Sequence, residues 1–439
     1  MSPAAPRFLF WTLVLAFAWP LRVDFPIGPF TTVSVVDLAL MLCGVYLVVR
    51  FAMLHPVRLG PPTLLVAVLT PACLAFASLL WAVDAGLTAA TTIKYLYAAL
   101  LYLVALQFAD SLDWNALVRA CLVVLSSWLL GSLAMYLDVP GFGFFIPQGH
   151  GFTESEMLVL FTSIYTRLGH PYVGQSNDFG PLLALIGFVL LACARLKPSR
   201  WLLAASWLAF LCSLLTLSRG LMVGLCASLV LFVWIGRVPL RRVAGVAGAT
   251  AAVFAVLAFT AAELSVEIQD QEIAIMETVE SRLTDVTVIA RLEGYREILG
   301  LILDRPALGY GAGYFDKSRP DALVAAHNAF LEQWKYFGLV LGTLSIVCYL
   351  AIAGYFFGPH RNDPAKPFYD AIGCAWVFLL LTSLVETFFE ATTPRAFIYF
   401  MLGLCVRPPV PDATETRARL NVPPLPPDSH RFASSRERA

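Results

Sequence analysis

The dipeptide His327-Asn328 is the first candidate for chemistry in this chain. It closes the longest hydrophilic stretch, and runs that are apolar enough to span a bilayer lie on both sides of that stretch. A neutral imidazole accepts a proton near neutral pH, so a histidine here would serve as a general base at a membrane surface. Taken alone, His327 fits an ordinary loop histidine better, which is also how His150 and His170 are interpreted.

Three arginines form a second group of candidates. Arg219 stands in Ser218-Arg219-Gly220, between two apolar runs with almost no loop. A charge at membrane depth is costly and marks a functional site by default, while the alternative is an arginine that snorkels from the end of a span. Arg291 and Arg296 lie on one predicted amphipathic helix, five residues apart, so their side chains do not point in the same direction. A solvated surface position is a stronger alternative for Arg296 than for Arg291.

Arg167 and Lys94 extend the set of candidate substrate-binding residues. Arg167 lies in a polar segment before the sixth apolar run, where an ordinary polar loop is the alternative. Lys94 lies near the start of the fourth run, where snorkelling beside an aromatic-belt Tyr95 is the alternative. Guanidinium groups bind phosphate oxygens bidentately. A set of arginines and one histidine would therefore suit a reaction in which a hydroxyl displaces a lipid pyrophosphate. The arginines could take the place of Mg²⁺ in neutralising the charge of the departing pyrophosphate.

The sequence predicts neither a metal site nor a cofactor site. All nine cysteines fall inside apolar runs, and no two are spaced like metal ligands. Gly309-x-Gly311-x-Gly313 follows no predicted strand, so it is not a dinucleotide motif. The formal net charge is zero, which gives no reason to expect nucleic-acid binding.

The elements that must position these residues are membrane helices. The chain is 59% hydrophobic and 14% charged, against roughly 25% charged residues in soluble domains. Backbone groups in hydrocarbon must be hydrogen-bonded internally, so the apolar runs predict an all-α, polytopic membrane protein. About twelve spans are predicted, at approximately 7–23, 32–54, 62–82, 91–109, 115–137, 178–195, 200–218, 219–236, 242–262, 337–357, 368–388 and 394–407.

Four regions follow from this pattern. Residues 1–262 carry the first nine spans, 263–336 form a helical periplasmic loop that carries the site, 337–407 carry the last three spans, and 408–439 form a disordered cytoplasmic tail. Within the loop, apolar residues at helical spacing predict an amphipathic helix that ends at Asp304. A flexible glycine loop follows, and a further helix starts near His327.

The distribution of basic residues predicts the orientation of the spans. Cytoplasmic segments are rich in lysine and arginine, so both termini are predicted to be cytoplasmic and the long polar loops to face outward. The short outer connections hold few basic residues: Arg22, Lys94 and Arg395. The cytoplasmic segments hold Arg50, Arg58, Arg195, Lys197, Arg200, Arg237, Arg241, Arg242, Arg361, Lys366, Arg407, Arg417, Arg419, Arg431, Arg436 and Arg438.

Three short segments resemble the bacterial O-antigen ligases, a family of the O-antigen ligase/polymerase superfamily. They are His327-Asn328 with Gly338, the run 218–220, and Ala290-Arg291 with the helix that ends in 304–309. The predicted spans and the large loop before the tenth span fit the same family. Ala290 and Leu341 depart from the usual pattern at positions that carry no proposed reactive group.

The resemblance implies a metal-independent, inverting glycosyltransferase of the bacterial inner membrane with a periplasmic active site. Its donor would be O-polysaccharide on undecaprenyl pyrophosphate, and its acceptor a sugar of lipid A-core. By resemblance, Arg219 and Arg291 would hold the pyrophosphate, and His327 would activate or orient the acceptor hydroxyl.

Three other functions remain open at the level of sequence. An O-antigen polymerase or a protein O-oligosaccharyltransferase would use the same kind of donor. A transporter of lipid-linked sugars is the alternative from another class, and it would place ionisable residues deep within several spans. The candidates for such residues, Asp37 and Lys94, lie instead near the outer ends of their spans.

Overall fold

The structure is a computed structural model, and it describes residues 4–27, 30–54, 56–109, 112–136, 173, 176–216, 218–236, 286–315, 328–358, 363–386 and 392–408. Most of these residues form helices. The helices are α1 (Ala4–Ala18), α2 (Val35–Ala52), α3 (Pro62–Ala77), α4 (Ala85–Ala109), α5 (Trp114–Tyr136), α6 (Ser176–Leu196), α7 (Arg200–Leu214), α8 (Arg219–Ile235), α9 (Val286–Asp304), α10 (Ala329–Phe357), α11 (Lys366–Ser383) and α12 (Thr392–Cys405).

The helices confirm a helical membrane protein. Of the described helices, 6 are long and apolar enough to cross a bilayer. Every predicted span overlaps a described helix except 242–262, which lies outside the described residues. The number of spans therefore stays a prediction. So do the four regions, because residues 263–285, 316–327 and 409–439 also lie outside the described part of the chain.

One element between α1 and α2 was not predicted. The strands β1 (Arg22–Ile27) and β2 (Phe30–Ser34) form an antiparallel pair. The segment 30–36 is rich in β-branched residues and threonine, which favour strands. Ser34 then caps α2: its side chain accepts a hydrogen bond from the Asp37 backbone, and the Asp37 carboxylate accepts one from the Ser34 backbone. The all-α prediction therefore holds for the membrane domain, with this hairpin as an exception.

The core of the bundle is built around α6, which packs against α5, α7, α11 and α12. Trp128 on α5 is fully buried against Phe179 and Phe397, and its indole N–H donates to the Phe17 carbonyl at 2.8 Å. This hydrogen bond satisfies the polar atom of a large apolar side chain, as burial of a tryptophan requires. The contacts fix α1, α5, α6 and α12 together.

The helix α10 is sharply bent at Gly338, where φ is 74°. Two hydrogen bonds connect the segments before and after the bend: the Trp334 indole N–H donates to Thr343 Oγ1 at 3.1 Å, and Ser345 Oγ donates to Gln333 Oε1 at 2.8 Å. Gln333 and Ser345 are 12 positions apart in the sequence. Twelve residues of straight helix would separate them by about 18 Å. We call residues 329–337 the short arm and residues 339–357 the long arm of α10. The predicted tenth span coincides with the long arm.

The bend should make Gly338 intolerant of a side chain. A left-handed backbone costs a non-glycine residue roughly 1–2 kcal/mol, and a Cβ at this position would also meet the carbonyl of Ala307. We expect Gly338→Ala to lower the thermal unfolding temperature of the purified protein in detergent. Gly354→Ala is the matched control on the same helix, because a Cβ there meets nothing within 4 Å. Equal unfolding temperatures for the two variants would contradict the bend.

Candidate functional site

The short arm of α10 begins immediately after the predicted catalytic histidine. Asn328 is its N-cap, and the side-chain oxygen accepts hydrogen bonds from the backbone N–H groups of Phe330 and Leu331 at 3.0 and 3.1 Å. This contact gives Asn328 a structural role, because it satisfies amides that the first helical turn leaves open. A contact with substrate stays a prediction for Asn328. Residue 327 lies outside the described residues.

A buried ion pair stands on the same arm. Lys335 Nζ lies 2.5 Å from Glu332 Oε2, and both side chains are 3% exposed. Lys335 also lies over the ring of Tyr336, 5.0 Å from its centroid. Glu332 is in the first turn, where a negative charge interacts favourably with the helix dipole. The two charges of the short arm, on Glu332 and Lys335, therefore neutralise each other.

The glycine loop after α9 is fastened to the short arm, in contrast to the predicted flexible loop. The backbone N–H groups of Tyr310 and Gly311 donate to the carbonyls of Lys335 and Tyr336 at 2.9 and 3.0 Å. The Leu339 N–H donates to the Pro306 carbonyl at 2.8 Å. Gly309, Gly311 and Gly313 all have positive φ. Glycine at these positions thus allows the backbone of the loop to pack closely against neighbouring segments, so the role of these glycines is in packing.

The other side of the loop contacts the segment between α3 and α4. The Val83 N–H donates to the Tyr310 carbonyl at 3.0 Å, and the Ala312 N–H donates to Ser78 Oγ at 3.1 Å. The loop therefore lies between the start of α4 and the bend of α10. It links the segment that follows Arg291 to the helix that carries Lys94.

A stack of side chains covers this loop. The ring of Tyr310 lies 4.4 Å from that of Tyr314, and the guanidinium of Arg305 lies 4.9 Å from the Tyr310 centroid. The Tyr310 hydroxyl donates to Asp304 at 2.6 Å. Burial, followed by the hydrogen bond to Asp304, raises the pKa of Tyr310 to about 12. The hydroxyl consequently stays protonated, and this hydrogen bond persists at neutral pH.

The helix α9, which carries Arg291, packs against the short arm of α10. Ile298 and Ile302 are buried against Leu331 and Trp334 of that arm. One turn before Ile298, the Tyr295 hydroxyl reaches the Leu384 carbonyl at the end of α11. This confirms the helix and the part of its predicted apolar face that Ile298 and Ile302 form, whereas Leu299 is exposed. Arg291 itself is described only by its backbone, and Arg296 is exposed.

The start of α8, which carries Arg219, meets the end of α11 as well. The backbone at Gly220 approaches Val385 so closely that a Cβ at Gly220 would overlap the Val385 side chain. About one turn further along, a Cβ at Gly224 would lie 2.8 Å from Thr382 Oγ1. The segment that carries Arg219 and the helix that carries Arg291 therefore meet consecutive residues, Val385 and Leu384. Arg219, like Arg291, is described only by its backbone.

The structure thus gathers four candidate segments at one end of the bundle, which we call the site end. They are the start of α8, the helix α9, the short arm of α10 and the start of α4. Lys94 lies there on α4, partly buried. Arg167 and His327 lie outside the described residues, so their positions stay predictions.

A buried polar network at the site end was missed by the sequence interpretation. The Gln333 side-chain amide donates to the Tyr95 hydroxyl at 3.0 Å, and the guanidinium of Arg395 lies 3.9 Å from the centroid of the Tyr95 ring. Arg395, assigned from sequence to an outer connection, is 2% exposed within α12. Its burial was not predicted, because an apolar run gives no sign of which side chains face the interior. A buried arginine next to a membrane span was the available signal.

The described residues contain no group of three or more His, Cys, Asp or Glu side chains that could hold a metal ion. The acidic segment 263–285 and His327 are not among them. The absence of a metal requirement therefore stays a prediction from the sequence.

Comparison with known proteins gives one family. A family model described as O-antigen ligase matches residues 204–347. The matched region runs from α7 through the long arm of α10, so it includes the segments that carry Arg219, Arg291 and Asn328. A search of curated proteins finds no match.

The approach of α8 to α11 gives a test of how the arginine segments are held. We expect Gly220→Ala to lower the unfolding temperature, because the new methyl group overlaps Val385. The double variant Gly220→Ala/Val385→Ala should recover much of that loss, because truncation of Val385 removes the methyl that is overlapped. Gly44→Ala, where a Cβ meets nothing within 4 Å, is the control. Additive losses in the double variant would contradict the contact.

Proposed function

We propose that this protein is an O-antigen ligase, a proposal that the match of residues 204–347 to the O-antigen ligase family model supports. The protein transfers O-polysaccharide from undecaprenyl pyrophosphate to a sugar hydroxyl of lipid A-core, at the periplasmic face of the bacterial inner membrane. The observation that carries this proposal is the meeting of the segments around residues 219, 291 and 328 at one end of a helical membrane bundle.

The proposed reaction is a single displacement at the anomeric carbon of the donor sugar. The acceptor hydroxyl forms the new glycosidic bond as the bond to the pyrophosphate breaks, and the anomeric centre is inverted. His327 accepts the hydroxyl proton or orients the hydroxyl. Undecaprenyl pyrophosphate leaves with the electron pair of the broken bond.

Arg219 and Arg291 hold the pyrophosphate in this proposal, with Lys94, Arg167, Arg296 and Asn328 as further substrate contacts. Fixed guanidinium groups stabilise the charge that develops on the leaving oxygens. Each charge-assisted contact contributes about 1.5–3 kcal/mol. Loss of one such contact in the transition state alone would slow turnover by about one to two decades.

The opposite end of the bundle supports the proposed orientation. Arg58 lies there between α2 and α3, bonded through its backbone to the Gln107 side chain at the end of α4. Burial, and then the nearby charges of Arg407 and Arg50, lower the pKa of Arg58. A cluster of arginines is typical of the cytoplasmic side. The site end would then face the periplasm.

The proposed function is tested by transfer with purified components. The protein is mixed with undecaprenyl-pyrophosphate-linked glycan and lipid A-core in the presence of EDTA, and the products are separated on a gel. We expect laddered lipopolysaccharide with the wild type and none with His327→Ala, because the variant lacks the base. His150→Ala, which removes a predicted loop histidine, is the control and should retain transfer.

Each other outcome contradicts a definite part of the proposal. Normal transfer by His327→Ala would exclude the general-base role. Lengthening of the donor glycan without transfer to the core would identify a polymerase. Loss of transfer on EDTA that added divalent ions restore would overturn the metal-independent mechanism, provided that the packing of the lipopolysaccharide is unchanged.

A second test concerns the geometry of the phosphate contact. We expect Arg291→Lys to lower the transfer rate by about ten- to a hundredfold, because an ammonium cannot replace a bidentate guanidinium. Arg119→Lys, which changes an exposed arginine of α5 near the opposite end, should leave the rate unchanged. A wild-type rate for Arg291→Lys would mean that Arg291 is only a surface charge.

A further inference from the structure

A continuous chain of contacts runs from the bend of α10 to α12. Ser345 Oγ donates to Gln333 Oε1 at 2.8 Å, and Gln333 Nε2 donates to the Tyr95 hydroxyl at 3.0 Å. The guanidinium of Arg395 then lies 3.9 Å from the centroid of the Tyr95 ring. The four side chains are at most 3% exposed. Three helices, α4, α10 and α12, thus meet through four side chains, which we call the Arg395 chain.

The Arg395 chain connects the two arms of α10 across the bend. Ser345 belongs to the long arm and Gln333 to the short arm, and the backbone at Gly342 lies against the Gln333 carbonyl. The angle between the arms is therefore fixed by the side chain of Gln333 as well as by backbone contacts. Asn328 is the N-cap of the short arm, so the position of the arm determines where Asn328, the neighbour of His327 in the sequence, is held.

The ring of Tyr95 is itself fixed by Arg395. A guanidinium over the face of an aromatic ring is attracted by the ring quadrupole, and the attraction is stronger where water is excluded. Arg395 is 2% exposed, so its guanidinium is almost closed off from solvent. Its contact with the Tyr95 ring, and the hydrogen bond from Gln333 to the Tyr95 hydroxyl, connect it to the short arm.

We propose that Arg395 is a positioning residue for the transfer reaction, which holds Tyr95 against Gln333 and thereby fixes the short arm that follows His327. This inference rests on the proposed function, because it assumes that His327 acts on the acceptor. It adds a role for α12, which lies outside the region that matches the family model. A misplacement of about 1 Å in a reacting group can cost a hundredfold in rate.

Four variants separate positioning from a general loss of stability. Tyr95→Phe keeps the ring under Arg395 and removes the oxygen that accepts from Gln333. Arg395→Gln removes the cation, whereas Arg395→Lys keeps a cation over the ring. Tyr102→Phe is the matched control, because it removes a buried hydroxyl from the same helix near its opposite end.

The measurements are kcat and KM for transfer, the unfolding temperature, and hydrogen exchange of the backbone amides of residues 329–337. We expect Tyr95→Phe and Arg395→Gln to lower kcat by about ten- to a hundredfold with little change in the donor KM. Both should speed exchange in the short arm. The double variant Tyr95→Phe/Arg395→Gln should be no worse than the poorer of its two single variants, because both changes break one chain. Arg395→Lys should recover most of kcat, and Tyr102→Phe should behave as the wild type.

Several results would overturn the positioning role. An increase in the donor KM at constant kcat would make Arg395 a binding residue. Additive losses in the double variant, matched by additive falls in unfolding temperature, would make the chain purely structural. Unchanged kcat and exchange in both single variants would leave Arg395 without influence on the short arm. If the wild type transfers nothing to lipid A-core, the proposed function fails, and the exchange rates still decide whether Arg395 holds the arm.

Discussion

The backbone of α10 leaves its helical path at Gly338, and the polar groups that the bend releases need partners inside a largely apolar domain. The glycine loop after α9 supplies them: the Pro306 carbonyl accepts from Leu339, and the amides of Tyr310 and Gly311 donate to carbonyls just before the bend. The loop and the bend therefore satisfy each other. The loop continues α9, and the short arm follows residue 327. The relative placement of the candidate segments therefore depends on these backbone hydrogen bonds between the loop and the bend.

The same end of the bundle also holds charges that are nearly excluded from water. A buried ion costs free energy unless a partner compensates it. Glu332 and Lys335 compensate each other within one helix, so this pair adds no constraint between helices. Arg395 instead lies over a ring on another helix and thereby joins α12 to α4. The two charged features are buried alike, but only the second ties together separate parts of the chain.

Much of this architecture could be predicted from the sequence, because apolar runs of sufficient length leave the backbone little choice except helix. The amphipathic character of α9 followed from the spacing of Ile298 and Ile302. The bend could not be predicted, since the helix predicted to start near His327 runs on into the tenth span and the φ of Gly338 depends on the loop that packs against it. The burial of Arg395 was missed for a related reason: hydropathy averages over a run and does not show that one side chain faces an aromatic ring on another helix. The hairpin before α2 fell in a segment that was interpreted as the ends of the first two spans and the connection between them.

The position of Arg395 in the chain has a consequence for synthesis in the cell. It belongs to α12, the last of the described helices, whereas its contact Tyr95 belongs to α4. A ribosome makes the N-terminal helices first, so Tyr95 and the short arm of α10 are synthesised before residue 395. The contact across the bundle can form only after almost all of the described chain has been made. Assembly of this end of the protein is thus completed by the last of the described helices, and a chain interrupted before α12 lacks the contact altogether.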